Sequence, residues 1–291
     1  MNYPLKLLCR VMRVSPSGYY AWRNRLTRPP KMRRKPLAKL VRDCYFENRK
    51  CYGSRRIKAD LNRQGIRIGR YKVRRLMREE GLQAIQRKRF KPRTTDSAGT
   101  LASPNLYKAI ELKRCVAGEV IVGDITYIYL LGGRFCYLAM WQDVVTKRIV
   151  GWSLAESLEA ELVISALRKA IEKGLVKPGA IVHTDRGSQY ASNGFRKLLK
   201  SKGLLQSMSG TGNCYDNAMA ESFFSRFKAE LIEDGVFENI AEARTEIFSY
   251  IEGFYNLRRL HSGLGYQSPQ EYEMNLKTKT KRGKLREFSV H

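Results

Sequence analysis

The chain has 291 residues, 43% of them hydrophobic, and a formal net charge of +28. No apolar run approaches the roughly 20 residues of a bilayer-spanning helix, and "MNYPLKLLCRVMRV" is too short and interrupted for a secretory signal, so a cytoplasmic protein with no membrane partner is expected. Three histidines and six scattered cysteines with no C-x-x-C pair exclude a zinc finger, and the thiols are expected reduced and mostly buried.

The charge is uneven. Residues 1–95 hold 29 Lys and Arg against 5 Asp and Glu, and the rest of the chain holds 26 against 22. A very basic N-terminal third on a nearly neutral body, without an amphipathic lipid-binding helix, points to DNA or RNA as partner.

Helical punctuation recurs along the basic third. A short helix carries Leu5, Leu8 and Met12, and "VSPSGYYAWRNR" then offers Ser15 as N-cap with Pro16 at the first helical position. In "YGSRRIKADLNRQG", Ser54 is the expected cap, Ile57 and Leu61 share a face, and Gly65 is the stop. After "IRIG", "RYKVRRLMREEG" turns Val73, Leu76 and Met77 inward and ends at Gly81. Two short helices joined by a tight turn make a helix-turn-helix, and candidate DNA contacts are Arg55 and Arg56 on the first helix and Arg70, Lys72, Arg74, Arg75 and Arg78 on the second. Residues 86–97 lose all periodicity and read as linker.

From Glu119 the hydrophobic period changes from 3.6 to 2. "EVIVGDITYIYL" is a strand, "GG" at 132 and 133 a hairpin turn, "RFCYLAMWQDVV" the return strand and "IVGWSL" a third. A helix follows, capped by Ser157 and stopped by Gly174, with Leu162, Ala166, Leu167 and Ala170 along one stripe. "AIVHTDRGSQY" supplies a fourth strand. The right-handed crossover rule predicts this strand parallel to one of the meander, and beside the first it would bring Asp185 near Asp124. Trp141, Trp152 and the tyrosines of the strands are expected in the core.

Asp124 stands in "VIVGDITYI", where an unpaired acid is costly to bury unless it meets a cation. A third acid, Glu221, is separated from Asp185 by 35 intervening residues and lies on a helix that follows a flexible "GTG" loop. Asn217, Glu221 and Lys228 share a face of that helix, since seven residues turn about 700°. Three converging carboxylates repel unless cations intervene, and two divalent ions also serve phosphoryl transfer. Oxygen ligands without His/Cys clusters favour Mg2+ or Mn2+ over zinc. Taken singly, each acid has an ordinary structural reading that usually wins: Asp185 as a turn residue, Glu221 as an exposed helix charge and Asp124 as an ion-pair partner. Their joint occurrence on strand, strand and helix beside a basic third carries the case.

On "GDITYI", "HTDRGSQY", "DNAMAESFFSRFKAE", "YGSRRIKADL" and "YNLRRLHSGLGYQSPQEY", the chain closely resembles the OrfB-type DDE transposases of bacterial insertion sequences. The resemblance runs from about the first helix to about Tyr272. It implies a ribonuclease H-like α/β catalytic domain, a mixed sheet of a three-strand antiparallel meander plus parallel strands with flanking helices, preceded by an all-α helix-turn-helix region. It further implies catalytic and metal-binding roles for Asp124, Asp185 and Glu221, two Mg2+ or Mn2+ per site, nicking at the element's ends, and strand transfer by the freed 3′-hydroxyl. Lys228 would contact DNA beside the site. Expected partners are the terminal inverted repeats, target DNA, further copies of the chain in a synaptic complex, and an upstream-frame product or fusion; the expected location is nucleoid-associated. His183, on the strand face of Asp185, either orients that acid, touches DNA or is structural, and His261 is a DNA or packing contact. Two alternatives stay open: a non-catalytic DNA-binding regulator, and a ribonuclease H-type nuclease. The expected division is a basic helical region over 1–85, a linker over 86–115, a catalytic domain over 116–260 and a C-terminal segment with basic tail over 261–291.

Overall fold

The computed structural model describes residues 4–27, 34–85, 103–111, 114–210, 218–232 and 236–288. Asn217, Cys214, most of the "GTG" run and the stretch 86–97 lie outside them.

The basic third is helical throughout. α1 (Leu5–Val11) and α2 (Pro16–Thr27) meet at the expected cap, where Ser15 Oγ accepts the Gly18 N–H at 3.0 Å. α3 (Arg34–Glu47) is an element the sequence reading passed over, and it packs on α4 (Ser54–Arg63) and α5 (Arg70–Glu79). Leu37, Val41 and Cys44 of α3 enclose Ile57, Leu61, Val73 and Leu76 from the other two helices. The helix-turn-helix is therefore a three-helix cluster. Gly65 and Gly81 end their helices in left-handed geometry, as expected. The cap of α4 is Gly53 rather than Ser54, which opens the helix without a side-chain bond.

The body is one five-stranded sheet in the order β3-β2-β1-β4-β5. β1 (Val120–Tyr129), β2 (Phe135–Asp143) and β3 (Ile149–Ala155) form the antiparallel meander. α6 (Ala160–Glu172) crosses over to β4 (Ile181–Thr184), which pairs parallel with β1. α7 (Ser188–Ala191) and α8 (Asn193–Ser201) lead to β5 (Leu205–Met208), parallel to β4. α6 begins at Ala160 after Glu159, so Ser157 is not its cap, while Gly174 stops it with positive φ. A Cβ on Gly151 would collide with Ala166 O, so only glycine lets α6 lie this close to β3.

Alternation along the strands builds two cores, one per sheet face. On one side, Ile121, Trp141 and Val182 pack against α6, α7 and α8. On the other, Val120, Val122 and Ile128 meet α9 (Ala218–Phe227) and α10 (Ile240–Phe248) through Phe223, Phe227 and Ile247. α9 and α10 each run on into a π-helical turn, Lys228–Ile232 and Ser249–Tyr255. α11 (Pro269–Phe288) closes the chain.

The three-helix cluster belongs to this second core and is bolted to it. Tyr52 Oη donates to Arg258 O (3.1 Å) and accepts the Leu260 N–H (2.7 Å), Arg49 reaches Ser249 Oγ (2.7 Å), and Arg63 clasps Glu271 with two bonds. Residues 103–110 lie along β5, where Ser207 Oγ accepts the Leu106 and Tyr107 N–H groups at 3.0 and 3.2 Å. Among the described residues no helix is long and apolar enough to cross a membrane. Cys9, Cys44, Cys51 and Cys136 are buried free thiols.

Candidate active site

Register places the first two acids. β1 and β4 are aligned with Val122 opposite His183, and Asp124 and Asp185 each stand two residues further along. They stand at matching levels, Asp124 midway along β1 and Asp185 just past the C-terminal end of β4, on adjacent parallel strands about 4.8 Å apart. Asp124 is half-buried and Asp185 opens to solvent. The turn after Asp185 is fastened by the Gly187 N–H to its Oδ1 (3.0 Å) and by Arg186 Nε to Ser209 O (2.9 Å). On the far face of β1, the Trp141 indole lies flat on Gly123, where a Cβ would collide with it. That indole donates to Val163 O (3.3 Å), so the backbone beneath Asp124 is held from behind.

Glu221 stands in the first turn of α9 and is exposed, and Lys228 follows at its end. Phe223, Phe224 and Phe227 anchor this helix in the core, as their spacing predicted. Electrostatics tie the groups together. Burial, then the Asp185 charge, push Asp124 up to about 8, against the Ile125 N–H on its Oδ1 (2.8 Å), with Glu221 adding to the rise and Lys228 opposing it. Burial raises Asp185 despite the Gly187 N–H, and burial followed by the Asp185 charge raises Glu221. Lys228 is lowered by burial, with Asp124 opposing. The Tyr190 ring is buried within electrostatic reach of both aspartates, and its hydroxyl has no hydrogen-bond partner among the described residues. No three His, Cys, Asp or Glu side chains among the described residues converge closely enough to hold an ion.

The remaining candidates separate. Arg55, Arg70, Arg74, Arg75 and Arg78 are exposed and Lys72 is half-buried, which leaves one cationic surface on α4 and α5. Arg56 differs from the expectation: its Nε donates to Leu260 O (2.8 Å), so the guanidinium is spent on the join to the body. His183 is fully buried, bonded through Nδ1 to Ser207 Oγ (2.8 Å) and stacked on Tyr107 at 4.7 Å, a packing position. His261 is buried too, and burial, then the Arg259 charge, hold it down to about 2. The tyrosine expectation fails at Tyr127 and Tyr129, which are exposed.

Sequence reading also missed a buried ion pair behind Lys228. Glu230 accepts Arg259 Nε (2.8 Å), a second Arg259 bond through Nη2, and the Tyr250 hydroxyl (2.8 Å). Burial, the largest single influence, would raise Glu230, but the Arg259 hydrogen bond and charge, the Tyr250 hydroxyl and the Arg56 charge together outweigh it and leave the acid below its usual range. An acid two residues past Lys228 and an arginine in "YNLRRLHSG" carry no periodic signal that would join them.

Two Integrase core domain models match residues 116–214 and 202–269, and an HTH-like domain model matches residues 32–90. The transposase for insertion sequence element IS904 of Lactococcus lactis is 41% identical over 84% of this chain and 97% of its own length. Transposase InsF for insertion sequence IS3A of Escherichia coli is 34% identical over 94% of each. The chain belongs to the IS3-family transposases. As a transposase it catalyses DNA transposition, and its helix-turn-helix and integrase core correspond to the basic and neutral parts read from composition. Among solved structures, the HTLV-2 integrase catalytic core domain in complex with magnesium is 14% identical, spans 55% of the transposase and 97% of its own chain, and aligns with a TM-score of 0.38.

Proposed function

We propose that Asp124, Asp185 and Glu221 are the catalytic carboxylates of this transposase and that together they hold two divalent cations, Mg2+ or Mn2+. The observation that carries this reading is the register that sets Asp124 and Asp185 at one level of adjacent parallel strands, with Glu221 on the neighbouring helix and all three pushed up from their ordinary range. A cluster that disfavours its own ionisation is completed by positive charge, and its all-oxygen donors suit a hard cation. When bound, such ions supply Lewis-acid stabilisation of the phosphoryl transition state and activation of the attacking oxygen.

The chain's own residues divide the remaining work. Asp124 and Asp185, on rigid adjacent strands, set the position of the reacting phosphodiester. Glu221 comes from a helix start that is exposed, so it closes the site from the DNA side. Lys228 holds a phosphate at the end of the cut strand. Arg55, Arg70, Lys72, Arg74, Arg75 and Arg78 hold flanking duplex through phosphates, which makes residues 1–85 the end-binding region and 116–260 the catalytic domain. Terminal inverted repeats and target DNA are the substrates, engaged by more than one copy of the chain. In the test, Glu221→Gln abolishes magnesium-dependent nicking of an end-containing duplex and leaves binding of that duplex within twofold. Normal nicking by Glu221→Gln removes this residue from the site. Cleavage of an RNA/DNA hybrid in preference to duplex DNA would support a ribonuclease H-type nuclease instead.

A further inference from the structure

The β1–β2 hairpin carries an aromatic face that the reaction above leaves unused. The register pairs Tyr127 with Tyr137 and Tyr129 with Phe135, so four rings share one face on successive same-side rungs. Tyr127, Tyr129 and Phe135 are 42%, 54% and 47% exposed, and Tyr137 is half-buried. Edge-to-face contacts order the rings along each strand, at 5.4 Å for Tyr127–Tyr129 and 5.6 Å for Phe135–Tyr137. One charge joins this face to the carboxylates. Lys228 Nζ sits 4.0 Å from the Tyr127 ring centroid, and the same ammonium acts on Asp124. Asp124 lies three residues before Tyr127, about 10 Å along the strand. The odd offset turns its side chain to the opposite sheet face, so a DNA strand running from Asp124 to the rings passes over the strand edge that Lys228 spans.

We propose that these rings form a stacking platform for unpaired bases of the DNA end held at Asp124. The proposal rests on the active-site assignment made above. An aromatic ring accepts the flat face of any base without reading its identity, and a cation at the platform's edge meets the phosphate of the stacked nucleotide. Same-face rungs are spaced about 6.7 Å apart, twice the roughly 3.4 Å per nucleotide of a stacked strand. That spacing fits splayed bases better than an intact duplex. A second copy of the chain is the weaker occupant. Aromatic rings bury about 150–250 Å2 each when fully covered, so these half-exposed ones offer a few hundred, short of the roughly 800 Å2 per partner of a stable interface.

The test uses the full chain in EDTA, so that DNA stays intact, and two fluorescent duplexes. One carries 2-aminopurine in a three-nucleotide unpaired 3′ end, the other carries it paired. The wild-type chain quenches the unpaired probe on binding. Tyr129→Ala combined with Phe135→Ala loses that quenching and binds the unpaired end about tenfold more weakly. The double variant binds the paired duplex as wild type does, and Tyr129→Trp retains quenching. Both positions are exposed, and circular dichroism checks that the fold survives. Quenching by the double variant equal to wild type overturns the platform, as does a loss of self-association with quenching intact. Magnesium-dependent nicking by the wild-type chain is scored separately. Quenching without nicking counts against the catalytic assignment, and nicking without quenching counts against the platform.

Discussion

The α4–α5 surface and the β1/β4 edge handle charge in opposite ways. On α5, Arg70, Arg74, Arg75 and Arg78 project into solvent, and Arg75 meets a surface partner within its helix, Glu79 at 3.7 Å. Exposed cations cost little to fold, because water and salt screen them, and they remain ready for phosphates. Around the C-terminal end of β4, one half-buried carboxylate and two more exposed ones lie within electrostatic reach of one another, and each is pushed up from its ordinary range. That cluster is costly without a cation. On the proposed reading, one region offers DNA charge that folding scarcely notices, and the other holds unfavourable charge that a cation would relieve.

The largest expected effect falls on the second region. Asp124→Asn should lower nicking by roughly three orders of magnitude or more, as loss of several kcal/mol of metal-based stabilisation implies. The same variant should be more stable than wild type in EDTA. An acid whose folded pKa is raised loses stability as pH climbs from the unfolded value near 4 toward about 8. Thermal melts should therefore show the variant ahead by a few kcal/mol at pH 8, with the gap closing toward pH 4. A gap that does not depend on pH would mean that Asp124 is not strained.

Next come two breaks in the supports. Arg259→Ala leaves Glu230 buried with one partner fewer and should cost about 3–5 kcal/mol in denaturant unfolding. Glu230 also contributes a pH dependence of the opposite sign to Asp124. Its depressed pKa adds stability above the unfolded value near 4.3, lost as pH falls through the folded one. Melts below pH 4 should show that loss in wild type and not in Glu230→Gln. Gly123→Ala drives a methyl into the Trp141 ring and should cost about 1–3 kcal/mol, with nicking reduced because Asp124 is the next residue.

The smallest effects belong to α5. Arg74→Ala or Arg78→Ala should lower the slope of log K against log salt by about 1 each, and leave stability within about 0.5 kcal/mol. A melting shift as large as that of Arg259→Ala would show these arginines to be structural, as Arg56 is, and would erase the contrast.

Much of this protein was legible without coordinates, because period and punctuation are local. The switch from 3.6 to 2 at Glu119, the glycine stops at 65, 81 and 174, and the apolar stripe of α6 are written within a few residues of one another. The three acids were legible for a related reason: each is chemically out of place or motif-bound in its own segment. α3 was passed over because "RKPLAKLVRDCYFE" has no clean cap or stop, and its helicity comes from packing on α4 and α5. Arg55 and Arg56 are neighbours in sequence with the same intrinsic chemistry. Only the approach of Leu260, some two hundred residues away, makes one a surface charge and the other a bolt.

Composition, period and residue type determined the basic helical third and the α/β body and singled out three carboxylates as candidates, because those properties are carried by short stretches of chain. The tertiary structure alone decided the register that sets Val122 opposite His183 between the adjacent strands β1 and β4, that Glu230 finds Arg259, and that Tyr127 and Tyr129 face outward. Burial is not a property of a residue. It depends on which distant segment covers the residue, and the uncovered end of the β1–β2 hairpin is where an alternating strand reads as core and stands in solvent.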